Sequence, residues 1–350
     1  MGSEIVKLTT GGRIYQGWTS ISITRSIEAI SGRFSLGLTD RWQGQDTPWP
    51  ILPGAECTVK IGDDTVITGR VDSIAPRYDA NSHTNSASGR DRTGQMVDCS
   101  AVHSPGDWAN IRLERLAAIL AEPFGISVKT EVDTGAPIQL VKIQPGETSF
   151  EALDRHCRFC GVLPVSDGQG GLILTRPGKT RCSTALIQGQ NVKSASLIDD
   201  IIDRFRTYVV RGSQPSTDFI APEQAFAVDG RASDVGVPSG RTLIVLPENS
   251  VDIAAAKKRA QWEATVRAAR AVSAQVTVQG WRQGNGELWP VNALVNVDLP
   301  WLRLSGDMLI TELTHTLDES GTQTTLTLRR PDAFIPKPTV PEDLDPLALI

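Results

Sequence analysis

The sequence predicts a mainly β, multidomain chain with α+β parts: antiparallel barrel-like units toward each end and a small α/β section between them. Short runs alternate apolar and polar residues with turn residues between them, the signature of half-buried antiparallel strands. The chain holds Gly 31 and Pro 21 but few helix-period stretches, a balance that favours many short strands. Its 350 residues exceed one ordinary domain and fit roughly two to four.

The first section alternates at Ile21, Ile23 and Ile27, at Phe34, Leu36 and Leu38, and at Cys57, Val59 and Ile61. The turn Gly62, Asp63, Asp64 then leads into Val66 to Val71, so residues 5 to 75 read as a small barrel or sandwich. Residues 78 to 95 are nearly all polar, which fits either a loop or a strand pair wet on both faces. A helix is expected from about Trp108 to Glu122, with Leu113, Leu116, Ala117 and Leu120 on one stripe. Asp107 or Asn110 would cap it and Pro123 would end it. A second helix opens with a capping box, Thr148 and Glu151, and closes at Gly161. Its stripe is Phe150, Leu153, Cys157 and Cys160, and strand-like runs lie near 138–143, 162–165 and 171–175. Asp167 to Gly171 forms a turn between the last two.

Strands resume at 205–211, followed by a looser section to about Gly240. The third helix, Val251 to about Ala271, would be about 30 Å long. Its inner face is alanine (256, 260, 264, 268), while Lys257, Lys258, Arg259, Arg267 and Arg270 read as a solvated face. Val272 to Val278 and Val291 to Leu299 alternate most cleanly, and turns at Gly284–Gly286 and Glu319–Gly321 join hairpins. Five prolines from Pro331 onward make an extended arm that ends Leu344, Leu347, Leu349, Ile350. Docking of that apolar end on a partner and a disordered tail both fit.

Met1, Gly2, Ser3, Glu4 carry an acid where a signal peptide needs a basic flank. The longest apolar stretch, Leu116 to Ala121, falls far short of the roughly 20 residues that cross a bilayer. Five cysteines at wide spacing suit a reducing compartment rather than a disulfide framework. A net charge of −5 and a pI near 5.5 give no general attraction to nucleic acid.

No chemistry-bearing constellation emerges. Cys157 and Cys160 form a CxxC, but they fall in the last turns of their helix, where the dipole opposes a thiolate. Zinc would need two more ligands beyond neighbouring His156 and distant Cys182. His83, His103 and His315 are isolated, and Asp199, Asp200 and Asp203 read as exposed acids. Phosphate-loop, dinucleotide and zinc-protease motifs are absent. The reading is of a non-enzyme with no catalytic residue, cofactor or metal. Eight tryptophans are the odd compositional feature. Trp281 lies out of phase with its strand's apolar face, and Trp289 and Trp301 sit beside prolines at strand ends. They are candidate subunit contacts, together with Leu347 and Ile350 of the arm; covering barrel ends within the monomer is the other reading for the tryptophans.

A series of segments runs in order along nearly the whole chain: Ser22 to Glu28 with Gly32 to Leu36, Asp98 to Ala101, and Gln144 to Thr148. It continues through Trp262, Glu263 and Arg267 to Ala271, Gly280 to Arg282, Leu288 and Trp289, and Arg330 to Phe334. Taken together these segments resemble the baseplate hub proteins of contractile-tailed phages, most closely the Mu-like type. The resemblance implies a homotrimeric ring joining the tail tube protein to the central spike protein, as in the T-even phage hub and the N-terminal part of type VI secretion spike proteins. Two tube-like antiparallel β-barrel domains per chain would let a three-fold spike meet a six-fold tube. The domain plan is 1–100 first barrel, 101–178 α/β, 179–330 second barrel with the helix at about 251–271, and 331–350 arm. The tape measure protein is a further partner; DNA is met only in passage through the lumen, with no membrane insertion. The implied location is the virion tail baseplate, and the host cytoplasm during assembly.

A lumen that released DNA would be neutral or acidic and rich in hydroxyls, so Ser- and Asn-rich stretches such as 81–88 are expected on a wet surface. Two readings compete with the hub. Gln144 to Gly161 also looks like a LysM-type repeat of a peptidoglycan-binding module. A tail-associated cell-wall hydrolase is the other, and it would need a paired carboxylate cleft or zinc ligands.

Overall fold

The computed structural model describes residues 4–39, 51–79, 83–178, 180–212, 228–247 and 252–338. Among the described residues strand exceeds helix, 47 % to 18 %, as the mainly β reading requires. The chain divides into two compact units: residues up to Ser196 with Gln275–Leu328, and Leu197–Ala274 with the residues from Arg329.

A large sheet, most of it in the first unit, has the order Val192–Asp199, Val272–Gln279, Gly321–Arg329, Leu304–Asp318, Ser20–Ser26, Arg33–Thr39, His83–Asp91, Asp64–Ile74, Glu56–Ile61, Val6–Thr10, Arg13–Tyr15. Ala293–Leu299 pairs with Leu304–Asp318 and takes Thr180–Arg181 and Leu186–Ile187 in parallel on its other edge. Among the described strands the pairing is an open path, not a closed ring.

Register follows the alternation. His315 faces Ile23, Ile23 faces Phe34, Phe34 faces Gly89 and Gly89 faces Val71, which makes one buried row across five strands. Gly89 is required there, because a Cβ would meet the Phe34 ring at 2.8 Å and the Arg70 carbonyl at 2.1 Å. The polar stretch near 78–95 is thus neither loop nor wet pair in its second half: it becomes the strand His83–Asp91 and helix α1 (Gly94–Asp98). Its buried positions are Ala87, Gly89 and Asp91, so the apolar bulk over this strand comes from its neighbours. Hydropathy along the strand itself could not reveal that.

The middle section packs α2 (Leu113–Ala121) and α3 (Ser149–Cys160) around Met96, Leu116, Leu120, Leu153, Leu172 and Leu174. The capping box of α3 forms as expected, with Glu151 N–H donating to Thr148 Oγ1 at 3.1 Å, and Gly161 closes it at φ 63. Helix α2 starts later than expected, with Arg112 as its cap residue. Trp108 and Ile111 instead alternate in the strand Asp107–Ile111, paired to Val141 and Ile138. That pairing with a distant strand overrides the local helical spacing.

The turn Asp167–Gly171 lodges against the large sheet. Arg25 donates to the Ser166 carbonyl at 3.1 Å; burial pushes its pKa down, and Asp91 and Asp167 offset part of that. Asp91, itself buried, accepts from Gly32 N–H at 2.8 Å, Ser31 Oγ at 3.2 Å and Thr93 N–H at 3.1 Å. Gly168 has φ +75, and a Cβ there would come 2.6 Å from the Val66 carbonyl.

In the second unit a three-stranded sheet, Val228–Ser233, Thr207–Gly212, Thr242–Val245, packs on α4 (Ile253–Arg270). Asp252 Oδ1 caps α4 by accepting from Ala255 N–H at 2.6 Å. Ala256 and Ala260 lie fully buried against Tyr208 and Val210. A Cβ on Gly230 would collide with the Ala256 backbone at 2.1 Å. The inner stripe then continues through Glu263, Val266 and Ala269 rather than Ala264 and Ala268, since a 3.6-residue turn drifts away from strict four-residue spacing. Arg259 and Arg267 also turn inward from the expected solvent face and clamp buried Glu263 at 2.8 Å each.

Two stability experiments follow from these contacts. Gly168→Ala should lower unfolding stability by about 2 kcal/mol or more, through left-handed strain plus the carbonyl clash. Gly170→Ala, whose nearest atom is a Thr68 methyl at 3.4 Å, should cost less in the same denaturant titration.

His315 is buried beside Trp281 and 3.0 Å from Thr324 Oγ1, and burial, then Arg25 and Arg282, push its pKa down to about 3. The unfolded chain takes up this proton near pH 6.5, the folded chain only near 3. Stability from this group is therefore complete above about pH 6.5 and falls by about 1.4 kcal/mol per unit as pH drops below it. Urea titrations between pH 7 and 4 should show a shallower loss in His315→Gln than in the parent chain.

Candidate assembly surfaces

The outward residues of the large sheet's strands share one face. Thr316 stands opposite Ser22, Ser22 opposite Ser35, Ser35 opposite Ser88, and Ser88 opposite Ser73. This row of hydroxyls crosses five strands and is exposed or half-exposed throughout. One step along, Thr24 and Thr314 join hydroxyls at 3.0 Å, and Thr277 and Thr325 do so at 3.2 Å. Gln275 and Gln279 extend the polar surface at the Val272–Gln279 strand.

Two of the three arginines in the next row, Arg70 and Arg90, are ion-paired. Arg33, Arg90 and Arg70 are cross-strand neighbours. Arg90 is bound by Asp98 at 2.6 Å and Asp72 at 2.7 Å, and Arg70 by Glu56 at 3.2 Å. Such exposed pairs add little stability each, yet they cancel charge where three like charges would otherwise adjoin. The face is hydroxyl-rich and close to electrically balanced. Ser86 and Ser88 lie half-exposed on it, as the wet-surface expectation for 81–88 requires; Asn81 and Ser82 fall outside the described residues.

The aromatic candidates separate. Trp281 is 2 % exposed and donates its indole N–H to the Thr316 carbonyl at 2.9 Å; Trp289 is 4 % exposed. Both are used in covering the unit's own core, because the chain turns at Gly280 (φ +78) and carries Trp281 back over the N-terminal strands. Trp301 is 86 % exposed, on a 3-10 turn (Pro300–Leu302) between two long strands, with its backbone N–H tied to Gln188 Oε1 at 3.1 Å. Leu347 and Ile350 lie outside the described residues.

The CxxC sits at the end of α3. Burial raises Cys157 strongly and Cys160 as well, so both are held as thiols. Burial likewise pushes Cys57 up to about 12 and Cys182 up to about 11. His156, adjacent to the pair, is buried and shifted toward the neutral form. Asp199 pairs loosely with Arg204 at 3.8 Å, and Asp200 accepts the Ile202 N–H at 3.0 Å. Among the described residues, no three His, Cys, Asp or Glu side chains converge as a metal cluster.

Three family models match in order along the chain. They are the Mu phage baseplate assembly protein GpP-like N-terminal domain at residues 5–91, the baseplate hub protein gp44-like second domain at 93–176, and the Mu phage baseplate assembly protein GpP fourth domain at 252–337. The baseplate hub protein gp44 of Escherichia phage Mu is 32 % identical over 342 residues, covering 95 % of this chain and 89 % of that protein. The crystal structure of the 43 kDa tail protein of prophage MuSo2 from Shewanella oneidensis is 38 % identical with a TM-score of 0.86, covering 96 % of this chain and all of that one. A type VI secretion component of E. coli, described as similar to the T4 tail proteins gp27 and gp5, shares the fold at 10 % identity and a TM-score of 0.55, covering 95 % of this chain and 79 % of that one. Gln144 to Gly161 falls inside the second-domain model, which leaves the LysM reading without support.

Thiol chemistry offers a direct check on the site geometry. With a chromogenic disulfide reagent at pH 8, native protein should show one fast thiol, exposed Cys99, and Cys99→Ser should remove that phase. Cys57 and Cys157 should react only on unfolding.

Proposed function

From a chain that belongs to the Mu-type phage baseplate hub family, and so to a phage tail virion component, we propose a structural hub whose polar sheet face lines the channel of a homotrimeric ring. The continuous hydroxyl row from Thr316 to Ser73 supports this most directly. Hydroxyls hydrate a wall without holding phosphates, and ion-paired Arg70 and Arg90 have little charge to spare for a passing polyanion. DNA would slide past such a surface rather than bind it.

The ring joins a six-fold tail tube to a three-fold spike, each chain offering tube-like antiparallel strands from both its N-terminal and C-terminal sections, with the tape measure protein also within reach of the tube end. The domain plan is 1–100, 101–178 and 179–330 with the arm 331–350, and the three family models lie largely within these sections. Trp301, displayed on a tight turn, is the aromatic anchor proposed for a neighbour, and Leu347 and Ile350 are a second apolar contact. The role is non-enzymatic, with assembly in the host cytoplasm before incorporation into the tail.

Light scattering over a dilution series should give about three times the chain mass of 37.8 kDa, and Trp301→Glu should shift the population toward monomer. In a phage carrying this chain, the triple change Ser22→Arg, Ser35→Arg, Ser88→Arg should leave particle assembly intact and slow DNA ejection at least several-fold. Unchanged ejection from assembled particles would remove this face from the channel.

A further inference from the structure

The chain holds one Asn–Gly pair, Asn285–Gly286, and two Asp–Gly pairs, Asp167–Gly168 and Asp229–Gly230. At such pairs a backbone nitrogen most readily attacks the preceding side-chain carbonyl carbon, because glycine has no side chain to shield it. The fold closes two of the three. Asp167 Oδ1 accepts from the N–H groups of Gln169 at 2.6 Å and Gly171 at 2.8 Å, and the Gly168 N–H is buried on Ser166 Oγ at 3.0 Å. Asp229 is paired with Arg231 at 3.1 Å and Arg211 at 3.5 Å, and Gly230 lies in a strand opposite Val210 and against the Ala256 backbone.

Asn285–Gly286 is left open. Gly284 to Glu287 are all exposed at the turn that brings Arg282 opposite Leu288, and a Cβ on Gly286 would meet nothing within 4 Å. The Glu287 N–H donates to Asn285 Oδ1 at 3.1 Å. This bond folds the amide back along its own backbone and sets a donor where negative charge collects when Cγ is attacked. Asn285 Nδ2, the group that must leave, donates to Glu287 Oε2 at 2.8 Å. The attacking nitrogen donates to the Gln283 carbonyl at 3.0 Å, a single bond in an exposed turn, which opens at little cost.

Arg282 donates from Nη1 to the Gly286 carbonyl at 2.9 Å and to Asp64 Oδ2 at 2.7 Å, and from Nε to Glu4. The Gly286 carbonyl thus helps aim the side chain that ties this turn to the N-terminal strands. We propose that Asn285 deamidates spontaneously in the folded protein, and that its isoaspartyl product draws the Gly286 carbonyl off Arg282. The Gly286 nitrogen bonds to Asn285 Cγ, its proton passes to solvent, and Nδ2 departs as ammonia, leaving a succinimide. Water then opens the ring at either carbonyl, giving aspartate, or isoaspartate with an extra methylene in the backbone path. Nothing in this chemistry depends on the ring or its channel.

Ageing native and urea-unfolded protein in parallel at about pH 8 tests it, read by mass spectrometry and isoaspartyl methyltransferase labelling. The tryptic peptide from Gln283 to Arg303 also carries Asn292 and Asn296 as internal references. The expected result is aspartate and isoaspartate at position 285, formed in native protein no more than about tenfold slower than in the unfolded chain, with both reference amides retained. Asn285→Ser should abolish the labelling. The isoaspartyl form, isolated by anion exchange, should unfold at a lower urea midpoint than fresh protein, while Asn285→Ser aged alongside keeps its midpoint. Survival of the Asn285 amide in native protein while the unfolded chain loses it, or products without isoaspartate, would overturn the modification. Equal midpoints for aged and fresh protein would overturn the loss of the Arg282 contact.

Discussion

The antiparallel pairing of Ser20–Ser26 with the long strand Leu304–Asp318 is the interaction on which the first unit depends. It brings Ile23 opposite His315 across almost the whole length of the chain. Two further bonds, from Ile27 N–H at 2.8 Å and Ser26 Oγ at 3.2 Å, both reach the Thr311 carbonyl. Closing so long a loop costs chain entropy, but that cost grows only slowly with length. The return is a register shared by N-terminal and C-terminal strands, and register decides faces. A slip of one residue would send Ile21 and Ile23 to solvent and Ser22 to the core.

The middle section is held to that sheet by charge and by close backbone approach. Asp91 ends a central strand and gathers the donors of Ser31, Gly32 and Thr93, while Arg25 leaves the neighbouring region to reach the Ser166 carbonyl. A buried carboxylate and a desolvated guanidinium would each be costly alone. With Asp91 accepting from three donors and Arg25 reaching the Ser166 carbonyl, they fix one docking position for the turn. Gly168 completes the fit by letting the turn approach the Val66 carbonyl closer than any side chain allows. The same economy recurs in the second unit, where Gly230 and Ala256 bring α4 onto its sheet.

A structural hub needs surfaces rather than a reaction centre, and this chain distributes its chemistry accordingly. Cys157 is raised by burial, buried His315 is kept neutral, and Arg90 and Arg259 are locked by acids. What remains open is a hydroxyl-lined face and a displayed Trp301, while Ala333 and Ile335 are tied by their carbonyls to α4. The same sheet makes both the core and the polar wall, so alterations to one face are felt on the other through register.

Much of the architecture was legible in the residues themselves. Alternation at Ile21 and Ile23, at Phe34 and Leu36, and at Val276 and Val278 specified strands because a pleated chain half-buries every second side chain. Thr148, Glu151 and Gly161 specified helix α3 because its ends must satisfy their own backbone groups. Family segments spread along the chain pointed to a hub before any fold was in view. Tertiary structure alone decided which strands meet. It made a core strand of the polar His83–Asp91 and drew Trp108 and Ile111 out of helix into a strand. It also buried Trp281 and Trp289 while leaving Trp301 in water, and aligned Thr316, Ser22, Ser35, Ser88 and Ser73 into one row. Each of these outcomes rests on partners far apart in sequence, and a local pattern carries the period of a strand but not the identity of its neighbour.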